Sequence, residues 1–311
     1  MKNVLKLINT IFKHPLNKDN IYNAFFRFVI FNLKTRFTFK RQIVFNWVND
    51  SKFLYLISKK ERLRQRQLKF NCYLGLAEYV DMSFLLHCLK KEDLFIDCGS
   101  NLGLYSILAS KVIGANSITF EPHPDTIEKL ISQLEINNIN NKVEIIKKAV
   151  GEKVSNVFFS NKFDLLKNQV IVDKDQFPNK DFIQVEMTTL DTELKNITQN
   201  FILKIDIEGF EYLALKGAKS LLKSDKLKAL IIENNSKMEN YNRKSNDVNI
   251  FLSEYNLFPI NYLPKEKIID LDVKNLDDNL NMIYIKDLKK INLICNRSGN
   301  FKIHTAGSIE I

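Results

Sequence analysis

The sequence is poor in the residues that punctuate loops. Its 311 residues include only 9 glycines and 6 prolines, too few for a low-complexity or loop-dominated chain. Cysteine is sparse too: Cys72, Cys88, Cys98 and Cys295 are the four. None stands in a C-x-x-C spacing and no histidine cluster accompanies them. That argues against a zinc site or a disulfide framework and for a reducing compartment. Long apolar runs are missing as well. The greasiest stretch, AFFRFVIFNL (24–33), is about ten residues long and contains Arg27, against the roughly 20 that a membrane span needs. The opening MKNVLKLINTIFKHPLNK lacks a long apolar region with a small-residue cleavage site, so no signal peptide and a cytoplasmic location are expected.

Acid is the remaining scarcity, and it is local. Residues 1–70 hold 16 Lys/Arg against 3 Asp/Glu, while the rest holds 30 against 33. The net charge of +10 therefore belongs to an N-terminal arm and not to the body. Such asymmetry points to an anionic partner: a phospholipid surface, a nucleic acid or a phosphorylated substrate. In the arm Phe25, Phe26, Phe28, Val29 and Phe31 interleave with Arg27, Lys34, Arg36, Lys40 and Arg41. Two readings stay open. One is a mostly helical lid that packs its aromatics on the body. The other is an interfacial segment, apolar face in a membrane and cations on headgroups, which would place the protein at the inner face of the cytoplasmic membrane. No nucleic-acid motif is present.

From residue 92 short β-rich runs alternate with amphipathic helical ones. Strands are expected at 93–98, 117–122, 142–149, 181–187, 200–209, 227–235, 258–263 and 280–287. Helices are expected at 104–112, 124–136, 211–222 and 245–255. This rhythm predicts an α/β fold with a doubly wound, mostly parallel sheet. Runs such as ALII (229–232) are apolar on both faces, as a sheet covered by helices requires. Ligands in such sheets bind outside the carboxyl ends of the strands.

Those ends carry acids. The first strand closes on DCGSNLG, Asp97 to Gly103. The glycines allow close backbone approach and positive φ. The spacing is not G-x-G-x-x-G, and Asp97 would repel a pyrophosphate. A carboxylate ahead of a glycine turn suits a cationic ligand rich in N–H donors, and S-adenosylmethionine, with a sulfonium and an ammonium, is one. A generic tight turn is the alternative. Glu121, before Pro122, closes the second strand, where a carboxylate can accept from a ribose diol. KIDIEGFE ends the fourth: Asp206 and Glu208, two apart in extended chain, should point the same way. Paired carboxylates there could take a proton, hold a metal or bind a polyol, or simply be solvated. Glu233 closes the fifth strand at the same edge.

Taken in order, GLAEYVDMSFLLHCL, DLFIDCGSNLGLYSILAS, FEPHPDTIEKL, TTLDTEL, KIDIEGFEYLALKGA and LIIEN resemble the FkbM family of S-adenosylmethionine-dependent methyltransferases over about residues 71–260. The resemblance implies a Rossmann-like class I methyltransferase fold, a seven-stranded sheet with a late antiparallel strand (280–287). It implies a methyltransferase domain over 71–287, between the arm (1–70) and a C-terminal tail (288–311). It places Asp97, Gly99, Ser100, Asn101 and Gly103 around the methionine part of the cofactor, Glu121 and Pro122 at the ribose and Ala149 near the adenine. Asp206 and Glu208 would lie at the reacting end as catalytic residues, Asp206 also touching the cofactor, with Glu208 and Glu233 toward the substrate. Ser100 stands where the family commonly has alanine.

Characterised relatives mostly methylate hydroxyls of sugars or natural products. The expectation is therefore an O-methyltransferase acting on a sugar of a bacterial surface glycan or its precursor. Alternatives are methylation of a small secondary metabolite, or a non-catalytic module keeping the fold. An RNA substrate is disfavoured because the mouth of the sheet is acidic. An alcohol needs a base; Asp206 is the first choice, alone or as a ligand of Mg²⁺. His123 is the second, though a lone loop histidine is more often structural, and His87 in FLLHCL reads as structural. Acceptor specificity should come from 155–180 and 288–311.

Overall fold

The computed structural model describes residues 2–57, 65–161, 168–171, 182–234, 239, 245–272 and 280–311. The arm begins with two helices, α1 (Lys2–Lys13) and α2 (Ile21–Phe37). Asn20 caps α2, its side chain accepting from the Asn23 amide at 3.1 Å. The arm is not helical throughout. An antiparallel hairpin follows, β1 (Gln42–Asn46) and β2 (Lys52–Leu56). Alternating β-branched and aromatic residues favour it: Ile43, Phe53 and Tyr55 are buried.

Helices α3 (Arg66–Leu74) and α4 (Tyr79–Cys88) lead into the main sheet. Its strands are β3 (Leu94–Cys98), β4 (Asn116–Phe120), β5 (Val143–Ile146), β10 (Phe201–Ile205), β11 (Leu227–Asn234), β12 (Phe258–Leu263), β13 (Ile268–Asp270) and β14 (Leu280–Ile285). The spatial order is β13-β12-β14-β11-β10-β3-β4-β5. Strands β5, β4, β3, β10 and β11 run parallel, and β14 is antiparallel between β11 and β12. This is the expected doubly wound sheet with its late antiparallel strand. The count is eight, not seven, because short β13 adds to the edge of β12. Every residue of β3 and β10 is buried, which explains the apolar runs Leu94–Ile96 and Phe201–Leu203.

The run 142–149 is not one strand. It breaks after Ile146, and β6 (Ala149–Val150) joins a second sheet. That sheet, ordered β6-β9-β7-β8, holds β7 (Ser155–Ser160), β8 (Val170–Ile171) and β9 (Phe182–Thr188). Of the stretch 155–180, residues 162–167 and 172–180 lie outside the described residues. The helix expected at 104–112 is α5 (Leu104–Ile107) continued by a π-helical turn, Leu108–Ile113. The one at 124–136 is α6 (Pro124–Asn137), with Pro124 in its first turn. The helix at 211–222 divides at Gly217 into α7 (Glu211–Lys216) and α8 (Lys219–Lys223). The C-terminal tail, 288–311, forms a helix, Leu288–Asn296, and a small hairpin, Lys302–Ile303 with Ile309–Glu310.

One apolar core joins arm and body, with Ile11, Phe31, Trp47 and Phe53 in the same cluster as Phe84, Leu108 and Leu134. Two side-chain amides of α6 take the place of a neighbouring strand for β2. Gln133 exchanges two 2.8 Å hydrogen bonds with the Leu54 backbone, and Asn137 two more with Lys52. The hairpin edge is thus covered, and the arm is fixed to the helix that follows β4.

Candidate active site

The order of the sheet reverses beside β3, between β4 on one side and β10 on the other. A cavity of about 430 Å³ lies there, at the carboxyl ends of β3, β4, β10 and β11. Its place and size are those of a small-molecule site. Asp97, Gly99, Ser100 and Asn101 line one wall, with Glu121 and Pro122 beside them. Ala149 enters from the second sheet, and Asp206, Glu208 and Glu233 come from the ends of β10 and β11. Gly103 is not in the lining. It starts α5 at φ +73°, and its missing Cβ leaves room for Leu130 Cδ1, which a Cβ would meet at 2.3 Å.

Asp97 is buried, and its Oδ2 accepts from Ser106 Oγ at 2.9 Å. Burial lifts its pKa to about 6, with Lys204 and the Ser106 hydroxyl pulling the other way. Glu121 accepts from the Asn101 amide at 3.1 Å through Oε2 and from the His123 amide at 2.9 Å through Oε1. Burial lifts it to about 7 despite those two bonds. Two buried carboxyls whose charged forms burial disfavours suit a ligand that brings positive charge and hydroxyl donors.

The fourth-strand motif differs from its expected form. Asp206 and Glu208 share the cavity, but not by strand alternation. The strand stops at Ile205, and Glu208 sits in the left-handed region at φ +61°, a costly conformation for a non-glycine residue. Glu211 enforces the turn: its Oε1 accepts from the Ile207 and Gly209 amides at 2.9 and 3.0 Å. The turn presses on the loop after β3. A Cβ on Gly99, at φ +80°, would meet the Asp206 carbonyl oxygen at 2.0 Å, so only glycine fits there.

The cavity lining also holds a charged group to which the sequence alone assigns no role. Lys204 is buried and donates to Asp206 Oδ2 at 2.6 Å. Its ammonium also lies 4.6 Å from the centre of the Tyr105 ring. Burial works against its charge, but Asp206, Glu78 and Asp97 outweigh burial and raise its pKa. Tyr105 donates to Glu78 Oε2 at 2.5 Å, and Asn281 donates to Glu78 Oε2 and Asp81 Oδ2 at 3.2 and 3.1 Å. Burial raises Glu78, and burial followed by Glu78 lifts Asp81 to about 8. Glu78 and Asp81 stand in GLAEYVD, a segment whose acids had no visible partner until α4 met β14.

The Mg²⁺ site expected at Asp206 is not formed: among the described residues no group of three or more His, Cys, Asp and Glu could hold a metal ion. Asp206 faces the Lys204 ammonium instead. His123 lines the cavity, its Nε2 hydrogen-bonded to Asn161 Oδ1 at 2.9 Å and its Nδ1 buried without a partner among the described residues. His87 lies elsewhere, buried against Tyr262 and Phe301, its Nδ1 2.6 Å from the Tyr262 hydroxyl and its pKa lowered by burial to about 4.

Residues 97–257 match the methyltransferase FkbM domain, just over half of the chain. The chain belongs to the FkbM methyltransferase family. No curated protein matches it. Among solved structures, the methyltransferase FkbM from Methylobacillus flagellatus is similar at 16% identity and a TM-score of 0.43, covering 73% of this chain and 57% of that one. The TrmK of M. capricolum, in complex with S-adenosylhomocysteine, is similar at 10% identity and 0.37, covering 67% and 68%. An rRNA methylase from Streptococcus thermophilus is similar at 12% and 0.36, covering 66% and 91%.

The pocket fits the family's cofactor on its own features. Ser100 Oγ and Asn101 Oδ1 line it, buried and without hydrogen-bond partners among the described residues, so they await a ligand's polar atoms. Two carboxylates answer an ammonium and a diol. Glycine backbone at Gly99 allows close approach.

Proposed function

We propose that this protein transfers the methyl group of S-adenosylmethionine to a hydroxyl oxygen of a sugar, in a bacterial surface glycan or its precursor. The observation that carries the reading is the placing of two acidic pairs in the lining of one cavity, at neighbouring strand ends: Asp97 with Glu121, and Asp206 with Glu208. Bound there, the cofactor supplies an electrophilic methyl group on a good, neutral leaving group. Asp97 holds the ammonium end, and Glu121 accepts from the ribose hydroxyls with the lone pairs its two backbone bonds leave free. Ala149, in β6, bounds the adenine end.

At the end of β10 Lys204 occupies Oδ2 of Asp206, leaving Oδ1 for the acceptor hydroxyl and its proton. Glu208, held toward the cavity by its left-handed turn, binds a neighbouring hydroxyl, and Glu233 a further one. Positioning of oxygen against methyl carbon supplies most of the acceleration; proton removal adds about 10²–10⁴-fold. A sugar polymer is favoured over a small metabolite because the cavity adjoins the helix system of the basic arm: Arg66 and Gln67 of α3 line it.

The test starts with calorimetric titration of the purified protein with S-adenosylmethionine and, separately, NAD. Micromolar binding of the first alone is expected. Transfer of labelled methyl into an envelope polysaccharide fraction, as base-stable ether, should follow. Failure to bind the methyl donor removes the cofactor assignment. Binding with label appearing only on nitrogen removes the O-methyl assignment.

A further inference from the structure

Helix α2 has two apolar faces, and the body uses only one. Ala24, Phe31 and Thr35 are buried, and Phe31 packs its ring against Tyr55 and Tyr73 at 5.3 and 5.2 Å. On the opposite side Tyr22, Phe26, Ile30, Leu33 and Phe37 are 85, 65, 56, 51 and 69% exposed. Their spacing of four, four, three and four residues makes one straight stripe, about 22 Å long at the helical rise. Phe39, just beyond the helix, is fully exposed as well. Scattered surface apolar residues are ordinary; a continuous stripe is a contact surface.

Charge selects the partner. Lys34 and Arg36 in the last turn of α2 are exposed, as are Lys40 and Arg41 after it. The whole arm carries 16 Lys/Arg against 3 Asp/Glu. A second copy of this chain would set that surplus against itself, so the covering surface is anionic. It must also take a flat row of aromatic and aliphatic side chains, which a lipid headgroup layer does. No helix among the described residues is long and apolar enough to cross a membrane, so the contact is lateral.

We propose that α2 is an interfacial helix that docks the protein on an anionic lipid bilayer, burying Tyr22, Phe26, Ile30, Leu33 and Phe37 at the headgroup boundary. The inference is independent of the methyl acceptor. It does have a consequence for the site, because α3 carries both the Tyr73 ring that supports α2 and the Arg66 and Gln67 side chains at the cavity.

Flotation of the full-length protein with vesicles tests it. Vesicles of phosphatidylglycerol in phosphatidylcholine should carry the protein up at low salt, and phosphatidylcholine alone should not. Phe26→Ser with Ile30→Ser should lower the partition by at least about tenfold. Lys40→Gln with Arg41→Gln should lower it by about fivefold per charge, and added salt should mimic that loss. All four side chains are exposed, so the variants should melt with the parent; Tyr22→Ser with Phe37→Ser is a second apolar pair should the first melt early. Equal binding to neutral and anionic vesicles overturns the proposal, as does unchanged flotation of both serine pairs. So does a parent that sediments as a dimer and becomes monomeric in the serine variants, because a second copy then covers the stripe.

Discussion

Two turns meet at the floor of the cavity, and they are built alike. The one after β3 runs from Asp97 through Gly99, Asn101 and Gly103, with φ of +80, +51 and +73°. The one after β10 runs from Asp206 through Glu208 and Gly209, with φ of +61 and +102°. In each, a buried glutamate gathers two backbone amides: Glu121 those of Asn101 and His123, Glu211 those of Ile207 and Gly209. In each, burial lifts that glutamate to about 7. The difference lies in the second duty. Glu121 lines the cavity and keeps both oxygens engaged. Glu211 does not line it, and its Oε2 is buried with no partner among the described residues. The same local device therefore serves once as a ligand-binding group and once as a brace for its neighbours.

Removing the chemistry from the second turn should have the largest effect. Asp206→Asn should cut methyl transfer by about 10²–10⁴-fold while the protein still binds S-adenosylmethionine. Full turnover would take the proton acceptor away from Asp206 and make His123 Nδ1 the next candidate. Pushing the turns apart comes next. Gly99→Ala faces both a positive φ and the Asp206 carbonyl, and should cost about 3 kcal/mol in a urea melt, with cofactor binding lost; a wild-type midpoint would mean the turns are not in contact. Glu121→Gln isolates the ligand-binding duty. Losing charge-assisted bonds to a diol should weaken S-adenosylmethionine by about tenfold or more in calorimetry. An unchanged affinity would make Glu121 a brace like Glu211.

The first turn was legible in the sequence and the second only partly. Asp97, the glycines and Glu121 announce themselves because each sits where an apolar run ends, one strand-helix-strand step apart. Such signals are local. The acids of KIDIEGFE were visible too, but extended spacing misjudged how they reach the cavity. What bends the chain is Glu211, and a carboxylate that accepts from amides two and four residues back leaves no mark in hydropathy. Lys204 stood in plain view inside FILKI, yet its partners Glu78 and Asp97 come from other elements. Glu78 needed the whole sheet to be closed before Tyr105 and Asn281 reached it. The hairpin in the arm hid behind composition: basic and aromatic residues drew attention from the alternation in QIVFN and KFLYL. Topology, by contrast, follows from alternating elements, so the parallel order could be expected; the antiparallel β14 was implied by the family resemblance alone, and the extra edge strand β13 by neither.

The smallest effect sharpens the comparison most. Glu211→Gln keeps an oxygen for the Ile207 and Gly209 amides and removes the charge that has no outlet. A carboxyl whose pKa rises on folding, here from 4.5 to about 7, stabilises fully below its unfolded value and loses that contribution as pH climbs through the folded one. Wild-type protein without ligand should therefore weaken between about pH 4.5 and 7, and the variant should weaken less. At pH 5 the two should melt together; at pH 8 the variant should be the more stable by about 1–3 kcal/mol. Glu121→Gln should share that gain in the absence of ligand and lose it when S-adenosylmethionine is added, because the cofactor's hydroxyls reward the ionised form only at position 121. If added cofactor closes the gap for Glu211→Gln as well, the brace reaches the ligand and the two turns do the same work.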